Sequence, residues 1–321
     1  MSPHPLIETK NLSKKFPISR DYLFAVRDIS LKIYKGETLG LVGESGCGKS
    51  TFGRLLLRLH EATSGEIYFN GENLNQCSRS RLKHLRQKMQ MVFQNPFGSL
   101  NPRFTVEDIL AEPLDIHRLV KSAQRTDRVV ELLRLVGLDA SYLYRFPHEL
   151  SGGQRQRICI ARALASHPEF IVCDESLSAL DVSIQAQIIN LLRDLQRTMN
   201  LTLLFIAHDL SVIKYLCDRV AVMYLGQLVE LAPNELLYQT PRHPYTQALL
   251  SCIPIPDPIK AKQQTHLPLL STEISSSKTS SQGCPFASRC PHVTQRCKEV
   301  KPSLKEISAH HYVACHLFEN F

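Results

Sequence analysis

The strongest constraint on the fold is a glycine-rich corner between a strand and a helix. Residues 37–43, ETLGLVG, read as a short apolar strand opening into glycines, and GESGCGKST occupies 43–51. Residues 52–60 then read as a helix with Leu55, Leu56, Leu57 and Leu59 on its apolar side. Gly43, four residues, then Gly48, Lys49 and Ser50 is a spacing with a mechanism. Gly46 and Gly48 let the backbone turn tightly, so that successive N–H groups converge on a phosphate. The following helix adds its positive N-terminal end. Lys49 is expected to reach the β- and γ-phosphates, and the Ser50 hydroxyl to help hold magnesium. The candidate nucleotide-binding run is therefore Gly43, Glu44, Ser45, Gly46, Cys47, Gly48, Lys49, Ser50 and Thr51. Alone it says nucleoside triphosphate; kinases, GTPases and helicases share it.

The rest of the chain fits an α/β fold. Short β-like runs, LIETKNL and AVRDISLKI, precede the loop, and GEIYFNG lies between glycine turns after it. Residues 78–88 read as a polar helix and MQMVFQ as a strand. From about 105 to 166 the pattern is mostly helical; EFIVCDE is an apolar strand, 183–199 an amphipathic helix and LTLLFIAH another buried strand. Uniformly apolar strands alternating with helices indicate a parallel sheet covered on both faces. The chain has 321 residues, enough for about two domains. With 43% apolar and 21% charged residues it is neither disordered nor collagen-like. No apolar run approaches the ~18–20 residues needed to cross a bilayer, and MSPHPLIETK does not read as a secretory signal.

Two further motifs carry chemistry. EFIVCDE ends in Asp174 and Glu175, acids at the carboxyl edge of a strand, where α/β sheets bind ligands. Asp174 can hold magnesium, and Glu175 can polarise a water for in-line attack on a γ-phosphate. Residues 150–154, LSGGQ, run into the helix RQRICIARALA. Ser151 is a plausible cap there, and Gly152 and Gly153 free backbone N–H groups. One γ-phosphate can hardly be served by two such helix ends in one subunit; a face-to-face pair, each offering Ser151 and Gly153 to the other's ATP, resolves this.

With these motifs in order, the chain resembles an ABC transporter ATP-binding subunit over roughly residues 6–253. GESGCGKST resembles the Walker A motif, LSGGQ (through Gln154) the family signature, and FIVCDE the Walker B motif. Gln94, ending a strand before NPFGSLNP, resembles the Q-loop glutamine, and SALD at 178–181, with Asp181, the D-loop. His208, following LLFIA, resembles the H-switch, and Phe16 the aromatic that stacks on adenine. The resemblance implies an ABC-type P-loop ATPase with a RecA-like core sheet, an antiparallel β subdomain and a helical subdomain at about 95–166. It implies Glu175, His208 and Gln94 as catalytic residues, Ser50, Gln94 and Asp174 around magnesium, and ATP as substrate. Ser176 and Leu177 depart from the residues common after the Asp-Glu pair and carry no expected chemistry.

The composition changes after about 253. IPIPDPIK suits an extended segment and STEISSSKTSS a flexible linker, so 254–283 reads as a linker and 284–321 as a Cys-rich extension. Cys284, Cys290, Cys297 and Cys315 are separated by 5, 6 and 17 residues. That spacing does not match the close pairs of a zinc site; the residues leave open an iron–sulfur cluster, zinc aided by His292, His310, His311 or His316, or unliganded thiols. The extension resembles that of the oligopeptide/dipeptide transporter subfamily, in which four such cysteines hold a [4Fe–4S] cluster. PRHPYTQALLSCIP at 241–254 is similar to the segment that introduces it, and QNPFGSLNPR at 94–103 resembles the F-type subunit of the heteromeric pair. The resemblance implies a second ATP-binding subunit, two transmembrane permeases, an extracytoplasmic peptide-binding protein, and a place on the cytoplasmic face of a bacterial inner membrane.

The basic balance is local. Lys plus Arg is 38 and Asp plus Glu 30, a net charge of +8, and residues 79–88 supply five positive charges with no acid. That helix lacks interleaved aromatics, so a solvated face is expected and no nucleic-acid partner. Rivals are a soluble ABC ATPase acting on DNA or ribosomes, the same transporter type with nickel as cargo, and a metal- or redox-sensing module. Lys49 to Ser151 spans 102 residues, leaving no room for the long coiled coil of the first.

Overall fold

The uniformly apolar runs of the chain become strands buried along their whole length. The computed structural model describes residues 4–18, 21–177, 180–253 and 282–318. The expected linker 254–283 falls outside these residues except for Gln282 and Gly283, as do Ser178 and Ala179 of the SALD run. The chain divides into two compact units, one of residues 1–7, 33–38 and 68–206, the other of residues 8–32, 39–67 and 207–321.

In the first unit three parallel strands lie side by side: Met89–Val92, Phe170–Asp174 and Thr202–Ile206, with Val92 opposite Cys173 and Asp174 opposite Ile206. Every residue of the latter two strands is buried, as a parallel sheet requires. Between the first two strands the chain runs through helices Val106–His117, Arg125–Leu135 and Gly152–Leu164. Their apolar stripes, including Ile109, Leu110, Val129, Leu132, Ile158 and Leu164, are buried. Thr105 and Asp108 close a capping box at the first of these. The basic helix Arg79–Lys88, capped by Ser78, buries only Leu85. Arg81 pairs with Glu72 at 2.6 Å and Lys88 with Glu169 at 2.6 Å.

In the second unit Thr38–Val42 lies parallel to Arg219–Tyr224, with Leu39 opposite Arg219. Arg219–Tyr224 continues antiparallel into Gln227–Pro233. Their two-residue turn places Leu225 (φ 43°) and Gly226 (φ 80°) in the left-handed region that hairpin turns demand. Pro5–Ile18 and Asp21–Tyr34, each 14 residues long, are longer than the runs read from sequence. The Thr9 hydroxyl donates to Ile29 O at 3.0 Å and accepts from the Leu31 N–H, tying these strands together inside the core.

The extension builds onto this unit. His311–Val313 pairs with Gln227–Pro233, Val313 opposite Glu230, and Lys305–Ser308 pairs outside it. Glu230, fully buried, accepts hydrogen bonds from the Arg242 and His243 N–H groups and lies 2.7 Å from His311 Nε2, itself 1% exposed. A buried carboxylate so surrounded is satisfied, and it anchors the added strand. No helix among the described residues is long and apolar enough to cross a membrane.

Candidate functional site

The second unit carries the glycine-rich loop. The helix behind it runs Lys49–Leu56, starting three residues earlier than the sequence suggests, because Gly48 (φ 105°) serves as its cap. A Cβ on Gly48 would lie 1.9 Å from Ala25 O, and one on Gly43 (φ 151°) 2.1 Å from Met223 O, so neither position admits a side chain. Lys49 is buried, and its ammonium donates to Gly43 O at 2.8 Å and Glu44 O at 2.9 Å, across the loop it follows. Cys47 is buried beside it, and burial pushes its thiol pKa up against the opposing pull of Lys49. Ser50 and Thr51 open the helix half-buried, while Ser45 and Gly46 are exposed. Phe16 is half-buried; its ring meets His60 edge-on at 5.8 Å, with Lys14 Nζ 5.1 Å from its centroid. Ala207 donates its N–H to Leu41 O at 3.4 Å, which brings exposed His208 to the end of the strand that opens into the loop.

The first unit carries the acids and the signature helix. Asp174 is fully buried at the end of its strand. Glu175 turns sharply after it (φ 44°), its N–H donated to Ile206 O at 2.9 Å. Gln94 donates from Nε2 to Glu175 Oε2 at 2.7 Å, so the structure joins two of the three residues expected to be catalytic. Ser151 and Gln154 form a capping box at the helix Gly152–Leu164, each side chain accepting the other's backbone N–H. Gln154 also donates to Tyr142 Oη at 2.9 Å. Asp181 caps the helix Val182–Met199, accepting from the Ile184 N–H and the Ser183 hydroxyl, and these bonds lower its pKa. The glycines of LSGGQ have a second reason: a Cβ on Gly153 would lie 2.6 Å from Ile184 Cγ2 and one on Gly152 3.3 Å from Leu180 Cδ2. Sequence reasoning had only their N–H groups in view.

Each unit offers a hard oxygen donor of the kind magnesium takes: the Ser50 hydroxyl in the first turn of the helix Lys49–Leu56, and the Asp174 carboxylate at the end of its strand. The four cysteines of the extension are free thiols, Cys297 buried and Cys284, Cys290 and Cys315 half-buried. Cys284 donates its N–H to Cys297 O at 2.7 Å, and the charges of Cys290, Cys297 and Cys315 bear on Cys284. Cys284, Cys290 and Cys315 each receive the N–H of the residue two further on. Burial pushes the Cys284 thiol up to about 11 and raises Cys290 and Cys315. Among the described residues no three or more His, Cys, Asp or Glu are gathered so that they could hold a metal ion.

Sequence reasoning missed Arg289 and Tyr245, both of which grip Glu44 of the loop. They lie some 200 residues or more away along the chain, and no local pattern marks them.

Residues 26–178 match the model of the ABC transporter family, and residues 229–297 that of the oligopeptide/dipeptide transporter C-terminal region. The chain is 61% identical over 255 residues to the oligopeptide transport ATP-binding protein OppF of Bacillus subtilis, covering 79% of this chain and 84% of that protein. It is 49% identical over 322 residues to the oligopeptide transport ATP-binding protein AppF of the same organism, covering 98% and 97%. Among solved structures, the ATP-binding cassette MJ0796, a dimer in a post-hydrolysis state bound to ADP and Pi, superposes with a TM-score of 0.66 at 29% identity, over 71% of this chain and 98% of that one.

Proposed function

The chain belongs to the ABC transporter family of oligopeptide-type ATP-binding subunits, and from that premise we propose that it hydrolyses ATP to drive peptide import through a membrane permease. The observation that carries the ATPase reading is the loop itself: glycines forced at 43 and 48, with Lys49 buried and reaching across them. The peptide reading rests on the match of residues 229–297 and on the curated relatives.

Residue by residue, the loop N–H groups and Lys49 take the phosphates, and Phe16 offers a ring for adenine. Ser50, Asp174 and Gln94 are the residues that would hold magnesium, and the ion would supply neutralisation of charge on the phosphate oxygens. Glu175 accepts the proton of the attacking water, and Gln94, which hydrogen-bonds Glu175, orients it. His208 contacts the γ-phosphate. Ser151, Gly152, Gly153, Gln154 and Asp181 serve a second ATP-binding subunit, as the dimeric state of the related cassette suggests. The chain sits peripherally on the cytoplasmic face, with two permease subunits and an external peptide-binding protein. The domains follow: 1–253 the ATPase with its helical part at about 95–166, then the linker through 283 and the extension from Cys284.

For the cysteines of the extension we propose a [4Fe–4S] cluster. The reading rests on the resemblance of the extension to the oligopeptide/dipeptide transporter subfamily and on the N–H that Cys284, Cys290 and Cys315 each receive from two residues on, although the described side chains are not gathered as a metal site. Iron and sulfide assays on protein purified without oxygen test this, and absence of iron overturns it. The transport reading is tested by reconstituting the chain with its permeases in vesicles. ATP turnover rising with an oligopeptide-loaded binding protein supports it; a rise with nickel alone overturns the cargo.

A further inference from the structure

Glu44, the second residue of the phosphate loop, is held on every polar side. Its N–H donates to Tyr245 Oη at 2.9 Å, its carbonyl accepts from Lys49 Nζ at 2.9 Å, and its carboxylate takes both terminal nitrogens of Arg289 at 2.9 Å each. Arg289 lies 245 residues away, between Cys284 and Cys290 of the extension, and its side chain is 10% exposed. It is seated in an aromatic bed. Phe286 (2% exposed) packs on Tyr224 and Tyr245 at 5.3 and 5.5 Å between ring centroids, and the Arg289 guanidinium lies 5.8 Å from both Tyr224 and Phe286.

Two consequences follow from charge and connectivity. A carboxylate beside a loop that binds a polyanion opposes binding unless a cation answers it, and Arg289 answers it with a paired, low-exposure geometry. Glu44 also supplies one of the two carbonyls that hold the Lys49 ammonium, so fixing Glu44 fixes Lys49. We propose that Arg289 of the extension is a positioning residue for the nucleotide: it neutralises and orients Glu44, and through Glu44 sets how tightly the loop takes ATP. The proposal rests on residues 43–51 being the phosphate loop.

The test is Mg-ATP binding to the full chain, with the hydrolysis rate measured across ATP concentration. Arg289→Ala should weaken ATP binding roughly tenfold, the scale of one lost charge-assisted pair, raising KM more than it lowers the rate at saturating ATP. Arg289→Lys should recover part of this, since an ammonium restores charge without the fork. Adding Glu44→Gln to Arg289→Ala should restore most of the binding, because the unanswered charge is then gone; higher salt should narrow the Arg289→Ala defect for the same reason. Wild-type affinity in Arg289→Ala overturns the proposal. So does a double variant as weak as Arg289→Ala alone, which would trace the loss to an undocked extension. If the wild-type chain binds no Mg-ATP, the phosphate-loop reading falls and this inference with it.

Discussion

At the scale of single residues, Glu175 is expected to dominate. It follows the buried strand at a left-handed backbone angle and receives the Gln94 amide at 2.7 Å. Replacing it with glutamine keeps the shape and removes the proton acceptor. Glu175→Gln should cut ATP turnover at least 100-fold, within the roughly 10²–10⁴ range of general-base catalysis, while ATP still binds; phosphate release and nucleotide binding measured together check this. Residues with a local physical reason were legible. Ser151 was readable as a helix cap, to which the structure adds Gln154 as the other half of a capping box, and the Gly48-Lys49-Ser50 corner announces a helix end suited to phosphate. The grip of Arg289 on Glu44 was not, because a contact across 245 residues leaves no periodicity or spacing to read.

At the scale of elements, the signature helix and the helix capped by Asp181 touch at a glycine. A Cβ on Gly153 would stand 2.6 Å from Ile184 Cγ2, closer than packed atoms allow. Gly153→Ala should destabilise the protein by about 1–3 kcal/mol, the usual cost of overpacking. Gly152→Ala, whose Cβ meets only Leu180 Cδ2 at 3.3 Å, should cost less. Thermal unfolding of both variants measures the difference, and adding Ile184→Ala should relieve the first. The buried parallel strands of the first unit were legible because they are apolar along most of their length, with Gln90, Asp174 and Thr202 the exceptions. The Arg219–Tyr224 and Gln227–Pro233 hairpin was not read from sequence, since Leu225 at positive φ is a weak turn signal. The strand His311–Val313 is three residues long, too short for alternation to show.

At the scale of the whole molecule, stability should depend on acidity through His243. Burial pushes its pKa from 6.5 down to about 4, against the opposing charge of Glu230. Its neutral Nδ1 accepts the Tyr245 N–H at 3.1 Å, capping the helix Pro244–Ser251. The unfolded chain takes up a proton near pH 6.5 and the folded chain only near pH 4. Stability therefore falls as pH drops through that window, by about 3 kcal/mol, and this contribution is gone below it. Urea unfolding midpoints across the window check the slope. His243→Asn, which keeps a capping oxygen but does not titrate, should flatten it. The extension also covers a strand edge of the second unit. Without it, the buried, largely apolar strand Gln227–Pro233 would present its unpaired backbone to any passing strand. With it, the outermost strand is Lys305–Ser308, four residues, mostly exposed and carrying Lys305 and Glu306. A short charged rim of that kind is a poor template for further pairing, so the extension that carries Arg289 also blunts this edge of the sheet.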